Sequence, residues 1–224
     1  MSSLLPVLQA TPWGKTLGEA ELAVAAAEVA EKTVATGGYV CRKGEPADAW
    51  IGVIEGLVKM SSLSPEGKPI SFTGLPTGGW FGEGSLLKHP EPRMYDVVAV
   101  RESRVAYMPR AAFMRLIDHS ICFNRFLLQQ LNERLGQFIG TVENDRLLEP
   151  DARVARALAQ LFNPFLYPGT AAQLQLSQEE IGLLSGVSRQ RANQALQVLE
   201  KAGLLKVEYG GVRVLDVAGL RRFT

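Results

Sequence analysis

The stretch from Leu176 to Leu215, LSQEEIGLLSGVSRQRANQALQVLEKAGLLKVEYGGVRVL, narrows what this chain can become more than any other. Ser177 precedes a helical pattern and Glu180 follows three residues on. That is a capping box, in which side chain and backbone satisfy each other's orphan groups. Ile181 and Leu184 give a short apolar face, Gly186 breaks the run, and Ser188 is placed to cap a second helix. Along that second helix Ala192, Ala195, Leu196 and Leu199 recur at a core-facing spacing. The opposite face carries Gln190, Asn193, Gln194 and Gln197, flanked by Arg189 and Arg191. Residues exposed for solubility alone would more often be Lys and Glu. Amides can bond adenine edges bidentately and Arg can bond guanine, once the helix lies in a major groove. Gly203 is placed to end the helix. LLKVEYGGVRVLD then reads as two strands about a Gly210-Gly211 turn, the wing of a winged helix-turn-helix.

With 224 residues and a net charge of +1, the chain has room for two small cores but no bulk attraction for polyanions. Any contact with nucleic acid must come from a local patch, doubled by dimerisation. The N-terminus MSSLLPVLQATPWGK lacks a basic leader pattern, and no apolar run is long enough for a bilayer. Cys41 and Cys122 form neither a CxxC motif nor a disulfide framework. The expectation is a cytoplasmic protein with no membrane partner. No nucleophile elbow, zinc-protease motif or Walker loop is present, and two histidines leave little for acid–base work, so catalysis is not expected.

Taken in order, residues 18–32 suggest an amphipathic helix. Short β-rich runs follow at Tyr39–Cys41, Trp50–Glu55, Leu57–Leu63 and Pro69–Leu75, with Gly56 at a tight corner. Turn signals every eight to twelve residues fit a barrel or jelly roll. Glu83–Leu87 reads as a short helix, followed by a loop with Pro90 and Pro92 and by strands at Tyr95–Val100 and Ser103–Pro109. Helix resumes at RAAFMRLIDHS. The run Ile121–Leu148 has a heptad-like seam of Leu128, Leu131, Leu135, Phe138 and Val142, the pattern of a dimer stalk. A helix buried on its own β-roll is the alternative. Pro150 interrupts the run and marks a hinge with Glu149, and ARVARALAQLFNPF opens the last domain. The fold class is α+β: a double-stranded β-helix (jelly roll) over 1–120, a dimerisation helix over 121–149 and a winged helix-turn-helix over 150–224.

GGWFGEGSLLKHPEPRMYDVVAVRESRVAYMPRAAFMRLI resembles the phosphate-binding cassette and last roll strands of the Crp–Fnr transcription regulators, and VSRQRANQALQVLEKAGLL resembles their recognition helix. The likeness covers about residues 20–222. It implies a cytoplasmic homodimer that binds a two-fold-related site on double-stranded DNA, with RNA polymerase as a partner and a cyclic-nucleotide-binding-like roll. Arg189, Gln190 and Gln194 match the family's base-contacting positions; Ser188, Arg191 and Asn193 complete the candidate set. In members that bind cyclic AMP, a short helix opening after a Gly-Glu pair, here Gly82-Glu83 with Gly84 and Ser85, meets the phosphate. Arg93 matches the phosphate arginine and Glu83 the ribose acid. Met94 stands where the family has a serine, and Phe138 and Ile139 where it has adenine-contacting hydroxyls. The phosphate side is therefore partly kept and the base side is not. Cyclic AMP, another small effector and no effector all stay open. If the cassette is empty, Arg93 is expected to bridge to Glu83. An iron–sulfur cluster lacks cysteines, and haem is not expected from the lone His89 and His119. Cys41 or Cys122 would sense redox state only with a lowered pKa. A regulatory module that binds cyclic nucleotide but not DNA is the competing class.

Overall fold

A computed structural model describes residues 4–64, 66–67, 69–88 and 91–224. The chain opens with helix α1 (Leu5–Ala10), which has proline in its first turn, and α2 (Glu19–Glu28). The helix expected over residues 18–32 ends early: Val29 is already extended, and Ala30–Val34 forms strand β1. The sheet outcompetes the helix here. β1 pairs antiparallel with β8 (Ser103–Pro109) in a register that sets Thr33 opposite Arg104, and Glu31 pairs with the Arg104 guanidinium at 2.6 Å.

Between these come β2 (Tyr39–Cys41), β3 (Ala49–Glu55), β4 (Leu57–Leu63), β5 (Pro69–Pro76), β6 (Trp80–Phe81), helix α3 (Glu83–Leu87) and β7 (Asp96–Ala99). The strands make two four-stranded sheets, ordered β1-β8-β3-β6 and β2-β7-β4-β5. Helices α4 (Arg110–His119) and α5 (Ile121–Leu147) follow, then α6 (Pro150–Gln160), β9 (Gln173–Leu174), α7 (Gln178–Ser185), α8 (Arg189–Lys201), β10 (Leu205–Glu208), β11 (Gly211–Val214) and α9 (Val217–Arg222). Two compact units result. One takes the residues up to 60 with 75–134 and 164–169; the other takes 61–74, 135–163 and 170–224. This cut falls inside α5, whereas the division expected from sequence treats the long helix as a separate part.

In the first unit β3 is buried on both faces, which period-2 alternation makes possible. Trp50 joins a helix-side cluster with Trp13, Trp80, Phe113 and Phe123, while Ile51 and Val53 are buried on the other face. The aromatic rings meet mostly tilted or edge-on, with Trp13 and Trp80 centroids 5.1 Å apart at 82°. Gly52 lies beneath this cluster, and a Cβ there would sit 2.4 Å from the Trp80 ring. Gly52→Ala should lower stability by about 1–3 kcal/mol through overpacking, read as an earlier urea midpoint with an unchanged slope. Gly56, at φ +113, turns β3 into β4 as the sequence suggested.

Helix α5 has an inward and an outward side. Phe123, Phe126, Leu127 and Gln130 are buried, and Leu131 packs part-buried against the aromatic core. Ile121, Leu128, Leu135, Ile139 and Val142 remain 50–71% exposed. Of the five seam residues expected from sequence, Leu128, Leu135 and Val142 stay exposed and Leu131 and Phe138 are part-buried. Leu131 and Phe138 turn toward their own chain, and the exposed apolar stripe is Ile121, Leu128, Leu135 and Val142 at steps of seven, with Ile139 beside them. The alternative of a helix packed on its own roll describes the opposite face of its first half.

In the second unit α6 begins with Pro150 in its first turn after an extended Glu149, where the sequence placed a hinge. Ala152, Val154, Ala155, Leu158 and Ala159 form its buried side. The wing hairpin pairs Glu208 with Gly211, so the two turn residues are Tyr209 and Gly210 rather than Gly210 and Gly211. Gly210 supplies the positive φ of +74. Gly211 is needed for a different reason: a Cβ there would lie 2.2 Å from the Leu174 carbonyl oxygen of β9.

Candidate nucleic-acid interface and effector cassette

The helix-turn-helix is built by its caps. The Ser177 hydroxyl accepts from the Glu180 N–H at 3.2 Å, and the Glu180 carboxylate accepts from the Ser177 N–H at 2.8 Å. Gly186 ends α7 at φ +63, and the Ser188 hydroxyl starts α8 by accepting from the Arg191 N–H at 3.2 Å. Ala192, Ala195, Leu196 and Leu199 are buried, so the rest of α8 must face outward.

That outward face is not uniform. Arg189, Gln190, Gln194 and Gln197 are exposed. Arg191 is held by Asp151 of α6 at 2.8 Å, and the Asn193 carbonyl oxygen accepts from Gln178 Nε2 at 2.9 Å. Ser188 is committed to its cap. Of the six candidates, Arg189, Gln190 and Gln194 therefore present themselves most openly, and the other three brace the helix that carries them. The Asp151 and Gln178 contacts are not legible in the sequence, because the two residues precede their partners in α8 by 40 and 15 positions.

The cassette belongs to the first unit. Gly82 takes φ +95 at the start of α3, and Glu83 is buried. The expected Arg93–Glu83 bridge is replaced by other pairs. The Glu83 carboxylate accepts from Arg134 Nε of α5 at 3.1 Å and from Trp50 Nε1 at 3.3 Å. Arg93, also buried, donates to the Ala49 carbonyl at 2.7 Å and lies against Gly82, where a Cβ would be 2.7 Å from Arg93 Nη1. Arg134 further donates to the Trp80 carbonyl at 2.6 Å, while its Nη1 is buried with no partner. Burial is the largest single influence and works against the Arg134 charge, but Glu83, Tyr167 and Tyr95 together outweigh it and the pKa stands above the ordinary arginine value.

Gly84 is exposed, Ser85 is half-buried, and Met94 is 65% exposed. Next to it, half-buried Tyr95 has its phenol pushed up to about 12, by burial first and the Glu83 carboxylate second. Trp50, Tyr95 and Arg134 are the residues sequence reasoning missed. Phe138 and Ile139 lie in the second unit, where Phe138 lines a cavity of about 460 Å³ with residues of β5 and α7. A cyclic nucleotide would be held here through its phosphate by Arg93 and its ribose by Glu83. The buried Arg93 and the unpartnered Arg134 Nη1 fit an anionic group, whereas Phe138 and Ile139 carry no side-chain hydrogen-bonding group.

Cys41 is buried and its thiol is pushed up to about 11, chiefly by that burial. This opposes the redox-thiol reading for Cys41. At pH 8 iodoacetamide should label exposed Cys122 rapidly and Cys41 on the timescale of unfolding, seen as one fast and one slow adduct by mass spectrometry. His119 is exposed, and His89 lies outside the described residues.

Comparison with known proteins gives two matches along the chain. A cyclic nucleotide-binding domain profile matches residues 31–120, and a Crp-like helix-turn-helix profile matches residues 152–223. A CRP-like cAMP-activated global transcriptional regulator of Mycobacterium tuberculosis is 31% identical over 189 residues, covering 83% of this chain and 84% of that protein. The chain belongs to the Crp–Fnr family. Another relative, the cAMP-activated global transcriptional regulator CRP of Haemophilus influenzae, is 29% identical over 165 residues, 72% of this chain and 73% of that one. Among solved structures, a CRP-family transcriptional regulator from Thermus thermophilus aligns with a TM-score of 0.64 at 27% identity, covering 85% of this chain and 95% of that one. As a Crp–Fnr protein the chain joins a β-roll of the cyclic nucleotide-binding domain family to a Crp-like helix-turn-helix. Its relatives are transcription regulators and not enzymes. No helix among the described residues is long and apolar enough to cross a membrane.

Proposed function

We propose that the chain is a cytoplasmic, homodimeric regulator that binds a two-fold-related DNA site and controls transcription initiation together with RNA polymerase. The observation that carries this reading is the outer face of α8. Arg189, Gln190 and Gln194 stand exposed there, while the buried side anchors the helix. The apolar stripe on α5 supports the dimer: side chains at heptad steps left facing water are what a second copy would cover. A dimer sets two recognition helices about one duplex turn apart, and an effector that favours this arrangement raises operator affinity.

The effector is a small phosphate-bearing molecule, bound at Gly82, Glu83 and Arg93. Two relatives are named as activated by cyclic AMP, which makes that compound the first to try. Selection of bound duplexes from a random pool, with and without cyclic AMP, tests the whole reading. Enrichment of a palindrome, strengthened by the nucleotide, is the expected result. A palindrome whose enrichment ignores the nucleotide removes cyclic AMP as the effector, and no enriched sequence removes the DNA claim.

A further inference from the structure

Helix α5 carries a second stripe beside its apolar one. Gln137, Thr141 and Asp145 recur at steps of four on one face, and each is tied to another segment of the second unit. Gln137 Nε2 donates to the buried Thr73 hydroxyl of β5 at 3.0 Å, and the Thr141 hydroxyl exchanges hydrogen bonds with Gln160 of α6 at 3.0 and 3.3 Å. Asp145 pairs with Arg153 of α6 at 3.2 Å.

The last tie reaches further than the others. The same Arg153 nitrogen that meets Asp145 also donates to the Gly186 carbonyl at 2.9 Å, at the turn between α7 and α8. The guanidinium thus fastens the end of α5 to the bend of the helix-turn-helix. It also places a cation at the α7 C-terminus, where carbonyls lack partners and the helix dipole is negative. Gly186 is shaped around this contact: a Cβ there would lie 2.5 Å from Arg153 Nη2. The Arg153 side chain is 19% exposed and that of Asp145 51%, so the pair sits at the edge of solvent.

We infer that Arg153 is a positioning residue that fixes the angle of the recognition helix on the dimer helix, acting through Asp145 and the Gly186 carbonyl. This rests on the DNA-binding reading above. A dimer must hold its two recognition helices at one separation to bind both half-sites, so a loose joint shows itself in tolerance of spacing. Arg153 touches no base in this scheme, and the exposed face of α8 is left as it is.

The test uses the full-length protein and the palindrome selected above, with the spacer between half-sites lengthened or shortened by one and two base pairs. Wild type should prefer one spacer sharply. Arg153→Ala and Asp145→Asn should lose about tenfold in affinity for that spacer while changing little on the others, which flattens the preference. Arg153→Lys, which keeps the charge and a donating nitrogen but on a shorter side chain of different shape, should fall between. Equal weakening on every spacer, or unchanged preference with a lower thermal midpoint, would overturn the proposal by showing a role in stability alone. Should a variant fail to fold, Gly186→Ala probes the contact from the other side, with the same flattening expected and an unchanged preference counting against it. Failure of wild type to select any palindrome would strike the DNA-binding reading instead, and the two failures cannot be confused.

Discussion

Replacing Arg189 and Gln194 together with alanine should abolish sequence-specific DNA binding and leave the fold intact. Each good bidentate base contact discriminates by about 1–3 kcal/mol, and a dimer makes each contact twice. The nominal loss of about 4–12 kcal/mol spans the usual gap of about 4–10 kcal/mol between specific and non-specific binding. The variant should therefore bind its operator no better than scrambled duplex, with the residual binding falling steeply as salt rises. Both side chains are exposed, and the core of α8 lies on the Ala192–Leu199 side, so the thermal midpoint should stay within a few degrees. A mobility shift against operator and scrambled duplex at one salt concentration reads the result. Operator affinity within tenfold of wild type would mean that α8 does not read bases.

Changing Leu128 and Leu135 to aspartate should convert the protein to monomers. These side chains are 67% and 59% exposed and lie seven residues apart, so they contribute little to the chain's own core. In a dimer each would be covered, at about 1.5–3 kcal/mol per large apolar side chain, and aspartates in their places would set unpaired charges in a dry interface. Sedimentation velocity at micromolar concentration should show the mass halved, with helix content by circular dichroism unchanged. Operator affinity should fall by two orders of magnitude or more, because the second half-site no longer binds as an intramolecular event. A variant that remains dimeric would place the interface elsewhere.

The reach of the sequence differed along the chain, for physical reasons. Strands such as Leu57–Leu63 and Ser103–Pro109 and the short helix Glu83–Leu87 were legible to the residue, since turns and caps are local devices. The caps at Ser177 and Ser188 and the glycine at 186 placed the helix-turn-helix equally well. The helical pattern runs four residues past the end of α2, because the alanine-rich text continues while β1 answers to a partner more than seventy positions away. Of the seam residues on α5, Leu128, Leu135 and Val142 stay exposed while Leu131 and Phe138 are part-buried. Which of Leu131 and Ile139 faces outward depends on the core beneath, which periodicity alone does not describe. The ion pairs that organise both sites, Glu83 with Arg134, Asp145 with Arg153 and Asp151 with Arg191, lie 51, 8 and 40 positions apart. Nothing in the spacing of residues announces them.

The central claim is that two copies, joined along α5, place two α8 helices on one duplex. Its most direct measurement is the mass and footprint of the complex with the selected operator. The account predicts two chains per duplex and two protected half-sites whose centres lie about 10 base pairs apart. One chain per duplex, or protection of a single unsymmetrical site, would contradict it.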